Sequence, residues 1–371
     1  MHDCLIMGGG VIGLSIAYEL AIHGLQVQVI DKSEMGREAS WAGAGILPPA
    51  NLETAVDPID RLRGLSHPLH AQWARQLAEE TGIDNGYREC GGIYLARHQG
   101  EAASLQAFAQ WLQEDKIEIV SLSTQDLVER EPALQQAASQ DQIKAAYLVP
   151  SECQCRNPDH LKALLQACRQ RGVLIHENVT AHAFNLRDRQ IDSVATSAGD
   201  LQAGSYCITS GAWSGQLLKQ LNISNGILPV RGQMILYRCP EQLLTHIVNE
   251  GTRYMVPRKD GRLLVGSCEE EVGFDKSTTT EMLAELTALA ESLMPQLRSI
   301  PVEKSWAGLR PGSFDGFPYL GPIPGLERAF VAAGHFRSGL HLSTGTAVTM
   351  GQLIRGLEPT LNLDAFRVGR G

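Results

Sequence analysis

The sequence predicts an α/β protein, α+β over its whole length, in which a parallel-sheet domain is interleaved with a mostly antiparallel one. Three observations predict it. The first thirty residues read strand, glycine-rich turn, helix, strand. Two later stretches, near 204–214 and 315–345, return to strands running into small-residue turns. Between these returns lie two excursions built of short strands, hairpins and amphipathic helices. At 371 residues the chain is long for one core and fits two domains.

The opening strand, residues 2–7, is short and apolar enough to be buried. Gly8-Gly9-Gly10-Val11-Ile12-Gly13 follows at once, then a helical run over 14–23 that Gly24 closes. A second apolar strand, 27–30, ends on Asp31. Strand, Gly-x-Gly-x-x-Gly, helix, strand and acid in this register form the dinucleotide-binding unit of a Rossmann-like domain. Gly8 permits the turn out of the strand, Gly10 lets backbone approach a pyrophosphate, and Gly13 lets the helix lie close on the sheet. The helix start offers N–H groups and a partial positive charge to phosphates. Asp31 can accept hydrogen bonds from both ribose hydroxyls, and its charge would repel a 2′-phosphate.

Residues 37–47 are mostly small and end in Pro48-Pro49, so backbone amides there could close on a flat ligand. Asp57-Pro58 opens a helix with Leu69, Trp73 and Leu77 on one face. From about Cys90 the pattern changes. Strands are expected at 92–96, 117–120 and 145–149, with a helix carrying Leu105, Phe108, Trp111 and Leu112 on one side, and Ser123 to Asp126 resembles a helix cap. Nothing in 85–150 resembles a phosphate loop, which makes it part of a second domain. Asn157-Pro158 is expected to cap and start a helix running to Arg171. A strand over 204–209 then runs into Gly211-Ala212-Trp213-Ser214, back in the first domain.

The second excursion begins near Gly226. It holds a strand over 228–237 with Arg231-Gly232 inside it, a hairpin around Lys259-Asp260-Gly261, a helix over 278–294 and a strand over 302–309. The expected partition is 1–84, 151–225 and 312–371 for the dinucleotide domain, and 85–150 with 226–311 for the substrate domain. Domains interleaved this way hold a ligand's reacting end at their interface.

Composition excludes other classes. Net charge is −9 with no basic block, which argues against nucleic acid. No stretch is apolar over a bilayer-spanning length, so no membrane partner is expected. The chain opens on a strand rather than a signal peptide, and the expected compartment is the cytoplasm. The eight cysteines are scattered, with Cys153-Gln154-Cys155 the one close pair. They read as packed thiols, with no metal site.

The glycine-rich turn and residues 37–47 combine with four further landmarks. These are Gly211 to Ser214, Tyr254-Met255-Val256-Pro257-Arg258, Trp306-Ala307-Gly308-Leu309-Arg310-Pro311-Gly312 and Ala333-Gly334-His335-Phe336-Arg337-Ser338-Gly339. Over nearly its whole length the chain resembles the D-amino-acid oxidase and sarcosine oxidase family of flavoenzymes, on the side of its glycine-oxidising, thiamine-pathway members. The resemblance implies FAD as the dinucleotide. It places Val11 and Ile12 at the phosphates, Asp31 and Lys32 at the ribose, and Val179 at the adenine end. Ala39, Ser40, Ala44, Gly45 and Ile46 would run past pyrophosphate and flavin. His335, Phe336, Arg337, Ser338, Gly339, Leu340 and His341 would lie against the isoalloxazine. Some relatives attach the flavin through a cysteine late in the chain; here none follows Cys268, so non-covalent FAD is expected.

The same resemblance assigns Arg310 to the substrate carboxylate, Tyr254 to a hydroxyl closing on the substrate, and Arg337 to a second pocket arginine. Read without it, Arg310 is a strand-end arginine in a surface ion pair and Tyr254 a core residue. Glu269 falls where a glycine-oxidising relative carries an apolar pocket Met, and Thr252 where it carries a His; Glu269 either faces the substrate pocket, where it would move substrate preference away from glycine, or points its charge to solvent. The implied reaction takes a hydride from Cα of a neutral amine, giving an imine, then a keto acid and ammonia, with O₂ reoxidising the flavin to yield H₂O₂. For the glycine-oxidising members the imine goes to thiazole synthesis, which makes a thiazole synthase the expected partner. Sarcosine or D-amino-acid oxidases and carrier-linked dehydrogenases of the same family remain rival readings. So do an NAD-dependent dehydrogenase and a flavin-binding scaffold without turnover. A homo-oligomer, by analogy a tetramer, is expected.

Overall fold

The computed structural model describes residues 1–370; Gly371, the last residue of the expected dinucleotide domain, lies outside the described residues. Six strands form a sheet in the order Tyr319–Pro322, Ala329–Ala333, Ala203–Ile208, His2–Met7, Val27–Ile30, Leu174–His176. Neighbours pair parallel except for the antiparallel edge strand Tyr319–Pro322. His2–Met7 sits inside the sheet with its last four residues buried, as a strand covered on both faces must be. Helices Val11–Ile22, Asn157–Gln170 and Gly339–Ile354 cover one face through Leu14, Leu161, Leu164 and Leu342. Leu217 and Leu218, with Ile191 and Val194 from a small three-stranded sheet, cover the other. The strand order reverses beside His2–Met7, and the crevice outside the carboxyl ends of such strands is where doubly wound sheets take ligands.

The second sheet has eight strands in the order Val302–Gly312, Leu228–Arg238, Arg262–Gly266, Arg253–Pro257, Ile247–Glu250, Gly92–Ala96, Ala145–Val149, Val120–Ser121. Every pairing is antiparallel except Gly92–Ala96 with Ile247–Glu250. That parallel seam stitches the two excursions into one sheet. Helix Thr280–Leu293 packs on one face through Leu286, Ala290 and Leu293, joined by Leu127 and Leu134. Cross-strand register aligns Tyr147, Tyr94, Asn249, Tyr254, Gly266, Met234 and Trp306 in one row. Directly opposed residues share a sheet face, so the row lies on a single face.

Three expectations are corrected. Asn157 does not cap its helix. Arg156 holds the cap position, and Asn157 Nδ2 donates instead to the Ser40 carbonyl at 2.7 Å. The strand expected over 117–120 shrinks to Val120–Ser121, because Ile117 and Ile119 bury against Ala109 and Leu112 of the preceding helix. The strand expected over 302–309 continues to Gly312. It is an edge strand, where the missing N–H of Pro311 is tolerated. Among the described residues no helix is long and apolar enough to cross a membrane.

Candidate active site

A cavity of about 760 Å³ runs between the glycine-rich turn and the second sheet. Its size falls inside the range of roughly 300–1,000 Å³ usual for ligand sites. At one stretch of wall lie Gly8, Gly10, Val11, Ile12, Asp31, Lys32 and Val179. Gly8 has φ +124°, and a Cβ there would stand 2.4 Å from the Thr209 carbonyl oxygen. Gly13 is not in the wall. It lies beneath the turn, where a Cβ would meet the Gly8 carbonyl oxygen at 1.9 Å. Helix Val11–Ile22 starts at Gly10 with no side-chain cap, which leaves its positive end to the cavity. The Asp31 carboxylate accepts from the Gly9 amide at 2.7 Å and from the Ser33 amide and hydroxyl at 2.9 Å, tying the turn to the second strand. Lys32 Nζ sits 3.2 Å above the Trp213 ring, and burial lowers its pKa. The Val179 amide donates to the Asp31 carbonyl at 2.8 Å.

The small-residue stretch forms the middle of the wall through Ala39, Ser40, Ala44, Gly45 and Ile46. Four of its carbonyls are taken up by protein donors. Ser40 O accepts from Asn157, Ala42 O from Trp306 Nε1 at 3.1 Å, Ala44 O from Arg258 Nη2 at 2.6 Å, and Gly45 O from the Cys155 amide at 2.9 Å. Ser40 Oγ accepts from the Val11 amide at 2.9 Å, which joins this loop to the first helix. Arg258 also donates to Gln154 Oε1 and the Cys155 carbonyl; with no carboxylate partner among the described residues, burial lowers its guanidinium pKa to about 10.

Tyr254 and Arg310 stand on the sheet side of the cavity. Arg310 donates to Ser267 Oγ at 2.6 Å and the Cys268 carbonyl at 2.9 Å. Its guanidinium lies directly over Gly232, where a Cβ would come within 2.3–2.5 Å of it. Among the described residues no carboxylate is within ion-pair distance of Arg310, whereas Arg231, two strand positions from Gln233 and deeply buried, is bound to Glu270 and Asp275. The surface ion pair that Arg310 could have formed is not there. Tyr254 Oη approaches Met234 Sδ at 3.5 Å.

Glu269 is not in the cavity wall. Its carboxylate pairs with Arg337 Nη1, and Arg337 Nη2 donates to the Thr252 carbonyl at 3.1 Å. Arg337 itself lines the cavity, together with His335, Phe336, Ser338, Gly339, Leu340 and His341. Phe336 holds a left-handed backbone with φ +47°. Helix Gly339–Ile354 begins here with no side-chain cap, so a second helix N-terminus opens on the same cavity. His335 is buried against Thr346, and burial depresses its pKa to about 3.

A sequence profile of the FAD dependent oxidoreductase family matches residues 3–353. The chain belongs to this family. It is 33% identical over 359 residues to glycine oxidase of Pseudomonas aeruginosa, covering 96% of each chain. It is also 33% identical over 374 residues to the bifunctional protein ThiO/ThiG of Synechocystis, covering 98% of this chain and 53% of that protein. The crystal structure of glycine oxidase from Geobacillus kaustophilus superposes with a TM-score of 0.94 at 32% identity, over 100% of this chain and 99% of that one.

FAD is therefore the cofactor of this oxidoreductase, and the residues present fit it. Two uncapped helix starts face the cavity, and the loop in its wall has its Ser40, Ala42, Ala44 and Gly45 carbonyls already bonded to protein donors. Sequence reasoning missed Asn157, Arg258, Gly232 and Ser267. Of these Gly232 was findable, since a glycine inside a long strand marks a close approach.

Proposed function

We propose that this FAD-dependent oxidoreductase oxidises the Cα–N bond of glycine or a similarly small amino acid. Arg310 carries the reading. A planar guanidinium, held over a glycine by two neutral acceptors and, among the described residues, free of any carboxylate, is set to take a bidentate carboxylate. Tyr254, on the neighbouring part of the same sheet face, supplies a hydroxyl beside it. Arg337, fixed by Glu269, stands at the rim as a second cation. Holding the carboxylate orients Cα and the amine, and orientation of this kind provides much of the rate acceleration. Bound FAD supplies the hydride acceptor. The uncapped start of helix Gly339–Ile354 favours negative charge on that side of the cavity. FAD is held without a covalent link: Cys268, the last cysteine, turns its thiol to Glu270 Oε2 and the Gln233 amide rather than into the cavity. Delivery of the imine to thiazole synthesis is supported by the fused arrangement of the Synechocystis protein.

The test is the visible spectrum of the purified holoprotein before and after glycine is added without oxygen. Bleaching of the flavin band is the expected result, with H₂O₂ formed on admitting air. A flavin band that glycine leaves unchanged, while sarcosine or D-alanine bleaches it, would overturn glycine as the substrate.

A further inference from the structure

Four arginines line the cavity: Arg63, Arg253, Arg310 and Arg337. Three of them carry a carboxylate. Asp60 pairs with Arg63 at 2.7 Å, Glu285 with Arg253 at 3.2 Å, and Glu269 with Arg337. Arg310 alone has none among the described residues, its partners being the Ser267 hydroxyl and the Cys268 carbonyl. The wall therefore offers one unneutralised guanidinium, and the other three are cancelled where they stand.

Of the cancelled three, Arg337 stands beside the substrate anchor. The Cys268 carbonyl holds Arg310 at 2.9 Å, and the very next residue, Glu269, holds Arg337. Consecutive Cα atoms are about 3.8 Å apart, so one short piece of backbone grips both guanidinium groups. Arg337 Nη2 also donates to the carbonyl of Thr252, two residues before Tyr254. The neighbours of Arg310's acceptor and of Tyr254 thus frame Arg337, and a second acid group on an amine anchored at Arg310 would meet it. The Arg337 and Glu269 side chains are 32% and 39% exposed, which puts their pair at the rim. An exposed pair contributes little to stability, so its effect on the cavity is one of charge.

We propose that Glu269 sets the substrate class of the site: by occupying Arg337 it admits amines with a single carboxylate and turns away those with a second acid group. The proposal rests on amino-acid oxidation being the reaction. One carboxylate satisfies Arg310 and needs nothing from Arg337. A second carboxylate could reach Arg337 only by displacing Glu269. That exchanges one ion pair for another and leaves the charge of Glu269 beside the newcomer, where like charges repel. Without that charge, the two arginines would form a site for two acid groups. Glu269 touches no reacting atom. It acts through Arg337 and determines specificity.

The experiment is anaerobic reduction of the holoenzyme's flavin by glycine, sarcosine and iminodiacetate, none of which has a handed Cα. Sarcosine carries a neutral methyl on nitrogen and iminodiacetate a carboxymethyl, so comparing these two isolates the second acid group. The unaltered protein should be reduced less efficiently by iminodiacetate than by sarcosine. Glu269→Gln should raise the iminodiacetate-to-sarcosine ratio of reduction efficiencies by about fivefold or more, the scale of one exposed charge pair. Glu269→Met, also uncharged, should do the same, and added salt should shrink the gain. Combining Glu269→Gln with Arg337→Met should abolish it, because the second acid group then has no cation to meet. The flavin spectrum of each variant reports that the site is intact. A ratio left unchanged by both Glu269→Gln and Glu269→Met would overturn the proposal, and so would a gain that survives in the double variant. If none of the three amines bleaches the flavin of the unaltered protein, amino-acid oxidation itself has failed and the substrate class falls with it.

Discussion

Arg310, the proposed carboxylate-binding residue, differs from the structural Arg231 in its unmet valence. Arg231 is as well satisfied as a protein can make it, with two carboxylates on a buried guanidinium. Arg310 has a carbonyl and a hydroxyl, which hold its plane but leave its charge unneutralised. Removing a charged partner from a hydrogen-bonded pair costs about 2–5 kcal/mol. Arg310→Ala should therefore raise KM for glycine by about thirtyfold or more, using about tenfold for each 1.4 kcal/mol. Gly232→Ala should act in the same direction without touching any polar group, because the new methyl would occupy the place of the guanidinium. Steady-state kinetics with a flavin spectrum of each variant would check both. An unchanged KM in either, with flavin retained, would remove Arg310 from the substrate.

At the scale of elements, the loop over 39–46 is the piece the rest must hold. Its conformation comes from four donors supplied by three distant segments: the Cys155 amide and Asn157 from one, Arg258 and Trp306 from the others. Arg258 is the costliest of these, a cation stripped of water to grip Ala44 O, Cys155 O and Gln154. Arg258→Met keeps the aliphatic stem and removes the grip. A hydrogen bond to a charged group contributes about 1.5–3 kcal/mol, so the FAD dissociation constant should rise by about tenfold to a hundredfold. Fluorescence titration of the apoprotein would measure it, and an unchanged constant would show that the loop is held by its other contacts. This division also explains what the sequence could disclose. The turn at Gly8 to Gly13 is legible because one local segment carries strand, turn, helix and acid together. The clamp on residues 39–46 is not, since nothing near Ala44 in sequence announces that Arg258 will reach it. Asn157 before a proline reads as a cap for the same reason, its true acceptor being 117 residues away. Short strands such as Val120–Ser121 are decided by which side chains a neighbouring helix buries, and periodicity alone does not contain that information.

For the whole molecule, the seam joining its helices is filled with neutral histidine. His70, His160 and His341 lie between helices Pro58–Thr81, Asn157–Gln170 and Gly339–Ile354, with ring centroids 6.1–6.5 Å apart. His335 is buried close by, one residue before the turn that starts the last helix. Burial lowers His70 to about 4, His160 and His335 to about 3, and His341 further still, the nearby rings adding to the effect for His160 and His341. Their hydrogen bonds agree with neutral rings, since His160 Nδ1 faces the Asn85 amide at 3.1 Å. The direction of the pH effect follows. Each folded-state pKa lies below the unfolded value near 6.5, so the unfolded chain binds protons first as pH falls. Stability is complete above about pH 6.5 and is lost as pH descends toward the folded values. At about pH 5 each such ring costs about 2 kcal/mol. Glu152 works the other way: its pKa is raised to about 7, so its contribution is present at low pH and lost as pH rises through that value. Four rings outweigh one carboxyl, so the urea midpoint of the holoprotein should drop steeply between about pH 6.5 and 4.5. Glu152→Gln should be the more stable protein at about pH 8, by up to about 3 kcal/mol, and should lose that advantage below pH 5. A midpoint that stays flat to pH 4.5 would mean that these rings are protonated in the folded protein and that the helix seam admits water.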